Sequence, residues 1–320
     1  MIGVMGAGAF GTALAVSLAA KGPVVLAART EAQAEEIRRA GEVARLPGVT
    51  LPEAVQVGAG VAALAGCDII LLAVPTQKLR AMLMDAGGVF DAKTLVATCK
   101  GVEQGSQKSP SQVIAEVCPE AMVAVLTGPS FAADIARGLP TALTLACADR
   151  AAGKALQEAL SVAHLRLYRS EDVTGAELGG ALKNIIAIAC GAAVGAGLGE
   201  SARAALMTRG YAEMARMAEA MGARAETLAG LSGFGDLALT CTSEQSRNLR
   251  YGLALGRGEP FVSGVTVEGA ASAPAVVARA EALGIEMPIT RVVVGLVSGQ
   301  LRVAGAMDMF LSRPLKEEKC

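Results

Sequence analysis

The sequence predicts an α/β chain: a doubly wound parallel sheet first, then an all-helical second domain. Three observations point there. A glycine fingerprint stands between an apolar strand and an Ala-rich helix at the start of the chain. Apolar strand candidates then alternate with helical patterns through the first half. Past about residue 173 no convincing strand follows.

The fingerprint comes first in the chain. Met1-Ile-Gly-Val-Met5 reads as a strand, Gly6-Ala-Gly8-Ala9-Phe10-Gly11 as the glycine turn, and Thr12 to Ala20 as the helix. In a Rossmann-like dinucleotide site Gly6 makes the tight turn. Gly8 lets the backbone approach a pyrophosphate, and Gly11 lets helix and strand pack closely. The helix N-terminus offers its free N–H groups and partial positive charge to the phosphates.

Further strands are expected at 23–28, 68–74, 94–98, 122–127, 141–146 and 165–169. These are continuous Val/Ile/Leu runs, the pattern of a parallel sheet covered on both faces. Ligands of such sheets bind beyond the carboxyl ends of the strands. In the second half Thr174-Gly-Ala-Glu177 matches a capping box, with Thr174 as N-cap and Glu177 at N3. It opens a long helix through about Ala193. A second helix, roughly 200–221, carries Leu206, Met207, Met214, Met217 and Met221 as core fillers and ends at Gly222. Shorter helices follow, and Lys316–Cys320 is expected to fray. No internal repeat or long linker interrupts the chain, so the domains read as 1–173, the dinucleotide-binding part, and 174–320, the helical substrate-binding part.

With 29 Lys and Arg against 30 Asp and Glu in 320 residues, the chain carries no bulk charge that would draw nucleic acid. Any anion site is local. The most membrane-like stretch, Ile185 to Leu198, is about half Ala and Gly and too short to span a bilayer, so no integral membrane association is expected. The chain starts without a basic n-region or cleavage site. Seven scattered cysteines with no CxxC pair fit a reduced cytoplasmic protein with neither disulfide framework nor metal site. The single histidine, His164, sits at a helix-to-strand junction and offers no His-based catalysis. The apolar helical half points to a homodimer.

The second strand ends Ala27-Ala28-Arg29-Thr30-Glu31. An acidic residue at this place would hold a ribose 2′-hydroxyl, whereas an arginine can hold a 2′-phosphate. Arg29 therefore favours NADP(H), and Glu31 keeps NAD open. Polar groups also stand out where apolar packing is expected. Lys100 follows a strand and faces the ligand crevice as a point charge. Gly128-Pro-Ser130 follows another strand, with Ser130 placed to cap the next helix. Lys183 lies inside an almost wholly apolar helix. A buried lysine is costly unless paired, and desolvation lowers its pKa toward useful acid–base chemistry; the competing reading is a lysine that snorkels to solvent. Asp236 follows two glycines and is a partner for Lys183. Ser246-Arg247-Asn248 is a compact donor cluster suited to a phosphate.

In order along the chain these segments are Gly6–Ala15, Val74-Pro75, Cys99-Lys-Gly-Val-Glu103, Gly128-Pro-Ser-Phe-Ala132, Gly138-Leu-Pro-Thr141, Ala181-Leu-Lys-Asn-Ile-Ile-Ala187, Gly230-Leu-Ser-Gly-Phe-Gly-Asp-Leu237, Ser246-Arg-Asn248 and Val267-Glu-Gly269. The series resembles the bacterial-type NAD(P)-dependent glycerol-3-phosphate dehydrogenases over nearly the whole chain. It departs from them at Gly41–Gly48, which lacks the usual Asn and Tyr before Leu-Pro, and at Ala27, where Trp is frequent.

The resemblance implies a hydride transfer between NAD(P)H and dihydroxyacetone phosphate, a small phosphate substrate, giving glycerol 3-phosphate for phospholipid synthesis. It makes Lys183 the proton-transfer residue and a substrate contact. Lys100, Gly128, Ser130, Asp236, Ser246, Arg247 and Asn248 match substrate-binding positions. Ala9, Phe10, Arg29, Lys100, Ala132, Arg247 and Glu268 match cofactor-contacting positions, beside Gly6, Gly8 and Gly11 of the fingerprint. The alternatives are a reductase of another small hydroxy or keto acid, of the β-hydroxyacid or 2-ketopantoate type, and a non-catalytic nucleotide-binding regulator. Ser246-Arg247-Asn248 speaks against the first, and Lys100, Lys183 and Asp236 against the second.

Overall fold

An apolar run that alternates its side chains between two faces needs cover on both, and the first part of the chain supplies it. The computed structural model describes residues 1–261 and 267–306, so Lys316–Cys320 lies outside the described residues. The chain forms two units: Met1–Lys100 with Lys108–Glu177, and Gly101–Gln107 with the described part of Leu178–Cys320.

The first unit runs β1 (Ile2–Met5), α1 (Ala9–Leu18), β2 (Val24–Ala28), α2 (Glu31–Ala40), β3 (Val55–Ala59), β4 (Ile69–Leu72), α3 (Thr76–Asp85), β5 (Thr94–Ala97), α4 (Pro110–Val117), β6 (Met122–Thr127), α5 (Ala132–Ala136), β7 (Thr141–Ala146), α6 (Arg150–Leu160) and β8 (Leu165–Ser170). The eight strands form one sheet in the order β3-β2-β1-β4-β5-β6-β7-β8. On one face Val4, Leu26, Leu71, Val96 and Leu126 pack against α1, α2, α5 and α6. On the other, Met5, Ala27, Ile70, Leu72, Leu95 and Val125 pack against α3 and α4. Consecutive residues of β1, β2, β4, β5 and β6 thus enter opposite cores, which is why these runs are apolar without alternation.

Two features differ from the expected sheet. β3, Val-Gln-Val-Gly-Ala, was not among the expected strands: it is an edge strand, only Val55 of it is buried, and it is held by five-residue parallel pairing with β2. β7 runs antiparallel to β6, while β8 runs parallel to β7. The β6–β7 connection contains only the five-residue α5, whereas the full helix α6 makes the β7–β8 crossover.

Helices alone make up the described part of the second unit: α7 (Val173–Gly195, its first turns in the first unit), α8 (Gly199–Ala220), α9 (Ala225–Ala229), a π-helical turn at Leu231–Gly235, α10 (Asp236–Thr242), α11 (Arg247–Arg257), α12 (Glu268–Ala282) and α13 (Pro288–Val297). Their core joins Leu182, Ile185, Ile186 and Ile188 of α7 to Met214 and Met217 of α8, Leu237, Leu253, Val276 and Val293. The Met residues are core fillers there. Segment Gly101–Gln107 belongs to this unit because α12 holds it: Val102 N donates to Ser272 Oγ (3.3 Å) and Gln104 Nε2 to the Ala271 carbonyl (2.7 Å).

α7 corrects two expectations. Its cap is Asp172, whose Oδ1 accepts from Gly175 N at 2.8 Å. The Thr174/Glu177 capping box does not form, because both residues already lie inside the helix and the Glu177 carboxylate accepts hydrogen bonds from Ser109 and Ser111 instead. The helix is also longer than the apolar stretch read at 185–198. Its 23 residues are long and apolar enough to cross a membrane by length and composition, but 89 % of the apolar window is buried inside the protein. Packing against the neighbouring helices accounts for that composition.

α13 starts at Pro288 without a side-chain cap of its own. Glu213 of α8 takes that place: its carboxylate accepts from Ile289 N (2.5 Å), Thr290 N (3.2 Å) and Thr290 Oγ1 (2.9 Å). Burial pushes the Glu213 carboxyl above its ordinary value of 4.5, against the pull of these donors. Glu213→Ala leaves two buried amides short of an acceptor and is expected to lower the unfolding free energy by about 2–4 kcal/mol. The pH dependence has a defined sign. Below pH 4.5 the carboxyl is protonated in folded and unfolded chains alike. As pH rises, the unfolded chain releases its proton first, so the folded state loses stability until its own carboxyl has ionised. Glu213→Gln lacks this titration. In urea unfolding, the stability of the parent minus that of Glu213→Gln is expected to fall from pH 4.5 to neutrality; a rise over that window would reverse the assignment.

Candidate active site

In the first unit the site is built from backbone at the ends of β1, β4, β5 and β6. The strand order reverses at β1, with β2 and β3 on one side and β4 on the other, and such a reversal opens a crevice at the carboxyl ends. Gly6 turns there with φ +112°, and a Cβ on it would meet the Ala73 carbonyl at 2.6 Å. A Cβ on Gly11 would stand 2.1 Å from the Gly6 carbonyl. Both glycines are therefore required by packing. Gly8 is different: a Cβ there would meet nothing within 4 Å. It caps α1 with no side-chain hydrogen bond. Its smallness answers to something outside the chain, and an open helix N-terminus beside it suits a pyrophosphate. Ala9, Phe10 and Gly11 supply the first amides of α1. These residues fit a bound dinucleotide.

Around this turn, Arg29 is exposed at the end of β2, and among the described residues its guanidinium has no hydrogen-bond or ion-pair partner. Glu31 is the first residue of α2 and pairs with Arg38 of the same helix. Lys100 follows β5; its Nζ donates to the Gly128 carbonyl at 3.3 Å, and its own carbonyl accepts from Thr76 Oγ1 at 2.9 Å. Lys100 and Gly128 thus come together. Ser130 does not cap α5: its hydroxyl donates back to the Gly128 carbonyl (3.2 Å), and Phe131 is the N-cap, followed by Ala132. His164 Nε2 hydrogen-bonds Ser17 Oγ at 2.8 Å, near the C-terminal end of α1.

In the second unit the decisive group is Lys183. It is 6 % exposed, so it does not snorkel. Its Nζ donates to Asp236 Oδ1 at 2.5 Å and to Thr240 Oγ1 at 2.8 Å. Asp236 is fully buried. Asp236 and Thr240 stand one turn apart on α10 and so present both acceptors on one face. The preceding π-helical turn brings that face to α7. A Cβ on Gly179 would stand 2.2 Å from the Ser232 carbonyl, so helix and turn touch backbone to backbone. The sequence reading paired Lys183 with Asp236 but missed Thr240, whose signal was its i+4 spacing from Asp236. The Cys241 thiol next to it hydrogen-bonds Cys190, and that contact together with burial holds it well above the usual thiol range. Such a thiol is no nucleophile.

A second buried network adjoins the first. Asn248 Nδ2 donates to Asn184 Oδ1 (2.9 Å), Asn184 Nδ2 to Glu268 Oε2 (3.4 Å), and Gly269 N to Asn248 Oδ1 (3.0 Å). It ties α7, α11 and the start of α12 at the residue after Lys183. The expected donor cluster therefore divides. Ser246 Oγ accepts from Leu249 N (3.2 Å) as the α11 N-cap, Asn248 is turned inward, and Arg247 alone is exposed at the helix start. Among the described residues no three His, Cys, Asp or Glu side chains are placed to hold a metal ion.

The chain as a whole is similar to known proteins. Two family models cover most of the chain: NAD-dependent glycerol-3-phosphate dehydrogenase N-terminus over residues 1–153 and its C-terminus over 172–308. The chain belongs to the NAD-dependent glycerol-3-phosphate dehydrogenase family. A protein of Paracoccus denitrificans (strain Pd 1222) named glycerol-3-phosphate dehydrogenase (NAD(P)+) is 61 % identical over 317 residues, 99 % of each chain. A relative of the same name from Caulobacter vibrioides is 50 % identical over 332 residues, 99 % of this chain and 98 % of that one. The crystal structure of glycerol-3-phosphate dehydrogenase from Coxiella burnetii superposes with a TM-score of 0.92 at 38 % identity, covering 98 % of both chains.

Within this chain the Lys183–Asp236 pair lies buried among the helices of the second unit. Asp236→Ala removes the counter-charge 2.5 Å from a buried ammonium and is expected to lower stability by about 3–5 kcal/mol in urea unfolding. Lys183→Met added to Asp236→Ala is expected to regain at least half of that loss. A double variant no more stable than the single one would show that the pair does not hold these helices.

Proposed function

We propose that this chain is a glycerol-3-phosphate dehydrogenase that interconverts dihydroxyacetone phosphate and glycerol 3-phosphate, with Lys183 as the proton-transfer residue. One observation carries the residue assignment: Lys183 is the one buried cation among the described residues, and its ammonium is fixed on Asp236 and Thr240. Family membership supports the substrate and the nicotinamide cofactor.

A bound nicotinamide would supply hydride to C2 in reduction and take it in oxidation. In reduction negative charge grows on the carbonyl oxygen, and the Lys183 ammonium stabilises and protonates it; in oxidation the neutral Lys183 amine takes the proton from the substrate hydroxyl. General acid catalysis of this kind typically contributes about 10²–10⁴-fold. Asp236 and Thr240 hold the Lys183 nitrogen in one place, so little reorganisation is left for the reaction. Lys100 supplies a second positive charge to the substrate oxygens. Arg247, exposed at the start of α11, grips the phosphate with the helix N-terminus behind it. Ser246 and Asn248, in this reading, shape that helix start through the bonds described above. Gly128 and Ser130 border the substrate by fixing the loop under Lys100, and Ala132 and Glu268 border the cofactor. Arg29 favours NADP(H), since its guanidinium is unpaired while Glu31 is taken up by Arg38. The six described cysteines are all free, which supports a reducing, cytoplasmic setting. A homodimer remains the assembly that the apolar helical half favours.

The test is absorbance at the nicotinamide band with dihydroxyacetone phosphate, using NADH and NADPH in turn. Turnover is expected with both, and faster at low concentration with NADPH. Lys183→Ala is expected to lose turnover by at least 10²-fold with NADPH binding intact; near-normal turnover would reject the role. Arg247→Ala is expected to raise KM for the phosphate ester far more than for a ketone without phosphate. Equal effects on both would remove Arg247 from phosphate recognition.

A further inference from the structure

We infer that Glu177 is a positioning residue: it pins the start of α7 to the N-terminus of α4 and so sets the rotation and axial register at which that helix presents Lys183. The inference rests on the reading of Lys183 as the proton-transfer group. Glu177 is a carboxylate for which the proposed chemistry has no use, yet it is buried. Its Oε2 accepts from Ser109 Oγ at 2.6 Å and from Ser111 Oγ, and its Oε1 accepts from Ser111 N at 2.8 Å. Ser109 is the N-cap of α4 and Ser111 lies in its first turn, so the carboxylate also meets the positive end of that helix. Burial pushes the Glu177 carboxyl above its ordinary range, and the three donors work against that push.

The apolar contacts of the same turn cannot do this job alone. Val173 and Ala176 pack into the core of the first unit, but such packing is non-directional. A slip of α7 by one residue would carry Lys183 about 1.5 Å along the axis and about 100° around it. Hydrogen bonds from two side chains and one amide to one carboxylate permit a single register. Lys183 stands six residues on in the same uninterrupted helix, about 9 Å along and about 240° around. The pin therefore holds one face of α7 while leaving the face that carries the lysine free for chemistry. A misplacement on the order of 1 Å at a reacting group is enough to lose about 10²-fold in rate.

The test compares the full-length parent, Glu177→Ala and Glu177→Gln, assayed with dihydroxyacetone phosphate and NADPH well below each protein's unfolding midpoint. Glutamine preserves the pin, because its carbonyl accepts from Ser111 N and its amide group donates to hydroxyls that turn to accept. Glu177→Ala is expected to lower kcat at least tenfold with KM for NADPH within twofold. Glu177→Gln is expected to return kcat to within threefold of the parent. Hydrogen exchange on the same proteins, without substrate, is expected to show the α7 amides from Leu178 to Lys183 exchanging at least tenfold faster in the alanine variant alone. A smaller fall in kcat, a KM for NADPH that rises in step with the loss, or a glutamine variant no better than alanine would overturn the inference. A parent without turnover would instead defeat the functional reading, and exchange would then decide the pin by itself. Should Glu177→Ala not fold, Ser109→Ala/Ser111→Ala takes its place under the same criteria.

Discussion

A single ammonium buried among helices sets the terms for the second half of this protein. Removing a charge from water is unfavourable by several kcal/mol unless a counter-charge and further acceptors meet it. Asp236 and Thr240 meet Lys183 at 2.5 and 2.8 Å. The arrangement makes demands far beyond three side chains. α10 must start where it does, so that Asp236 and Thr240 share a face. The turn before it must touch α7 without intervening side chains, which is why glycine stands at 179 and the turn widens to a π-helix. The residue after the lysine, Asn184, is tied in turn to α11 and α12. Much of the helical packing can be read as the set of conditions under which that nitrogen stays in one place.

The two units answer different recognition problems by different means. At the end of β1 recognition is left to backbone: amides at the start of α1 and a glycine with open space above it. Backbone groups recognise a pyrophosphate through its geometry and charge, and the requirement on sequence is mostly that side chains be absent. For the proton transfer proposed for Lys183 the requirement is the reverse. Proton transfer needs one atom of defined chemistry at one point, and only a side chain held from several directions provides it. A glycine fingerprint is accordingly a generic signal, whereas a lysine in an apolar helix facing a buried carboxylate is a specific one.

Most of the sheet was legible because burial on both faces leaves a strong mark: six of the strands are apolar runs, and β8 alternates buried Leu165 and Leu167 with exposed Arg166 and Tyr168. β3 was not, since an edge strand with Gln56 and Gly58 is defined by its pairing with β2 and by little of its own. The antiparallel turn at β6–β7 was hidden for a similar reason, because strand direction is decided by the connection. At the site, the Lys183–Asp236 pair was legible from one improbable residue, a lysine in an apolar helix, and one carboxylate near glycines. Thr240 left only a weak trace, its i+4 spacing from Asp236, as threonine is ordinary in a helix. Ser246-Arg247-Asn248 misled in part, because neighbouring residues on a helix point in different directions, and only Arg247 faces out. The box at Thr174 and Glu177 misled because a local pattern competes with partners elsewhere. Asp172 stood two residues earlier to cap the helix, and two serines of α4 stood ready for the glutamate.

Those carboxylates bear on the central pair. Among the described residues Asp172, Glu177 and Glu213 are all buried, and each is satisfied by the N-terminus of a helix: α7, α4 and α13. Three of the five buried acids are thus met at helix starts, by amides and, for Glu177 and Glu213, by hydroxyls as well. Asp236 departs from this pattern. It too lies in the first turn of a helix, yet its Oδ1 faces an ammonium and the hydroxyl beside it. If stability were the only demand, an apolar pair at positions 183 and 236 would serve as well or better, since a buried ion pair is often no improvement on packed hydrocarbon. Glu103, the remaining buried acid among the described residues, accepts from Ser106 Oγ, so Asp236 is the acid placed on the one buried cation, an arrangement that stability alone does not demand.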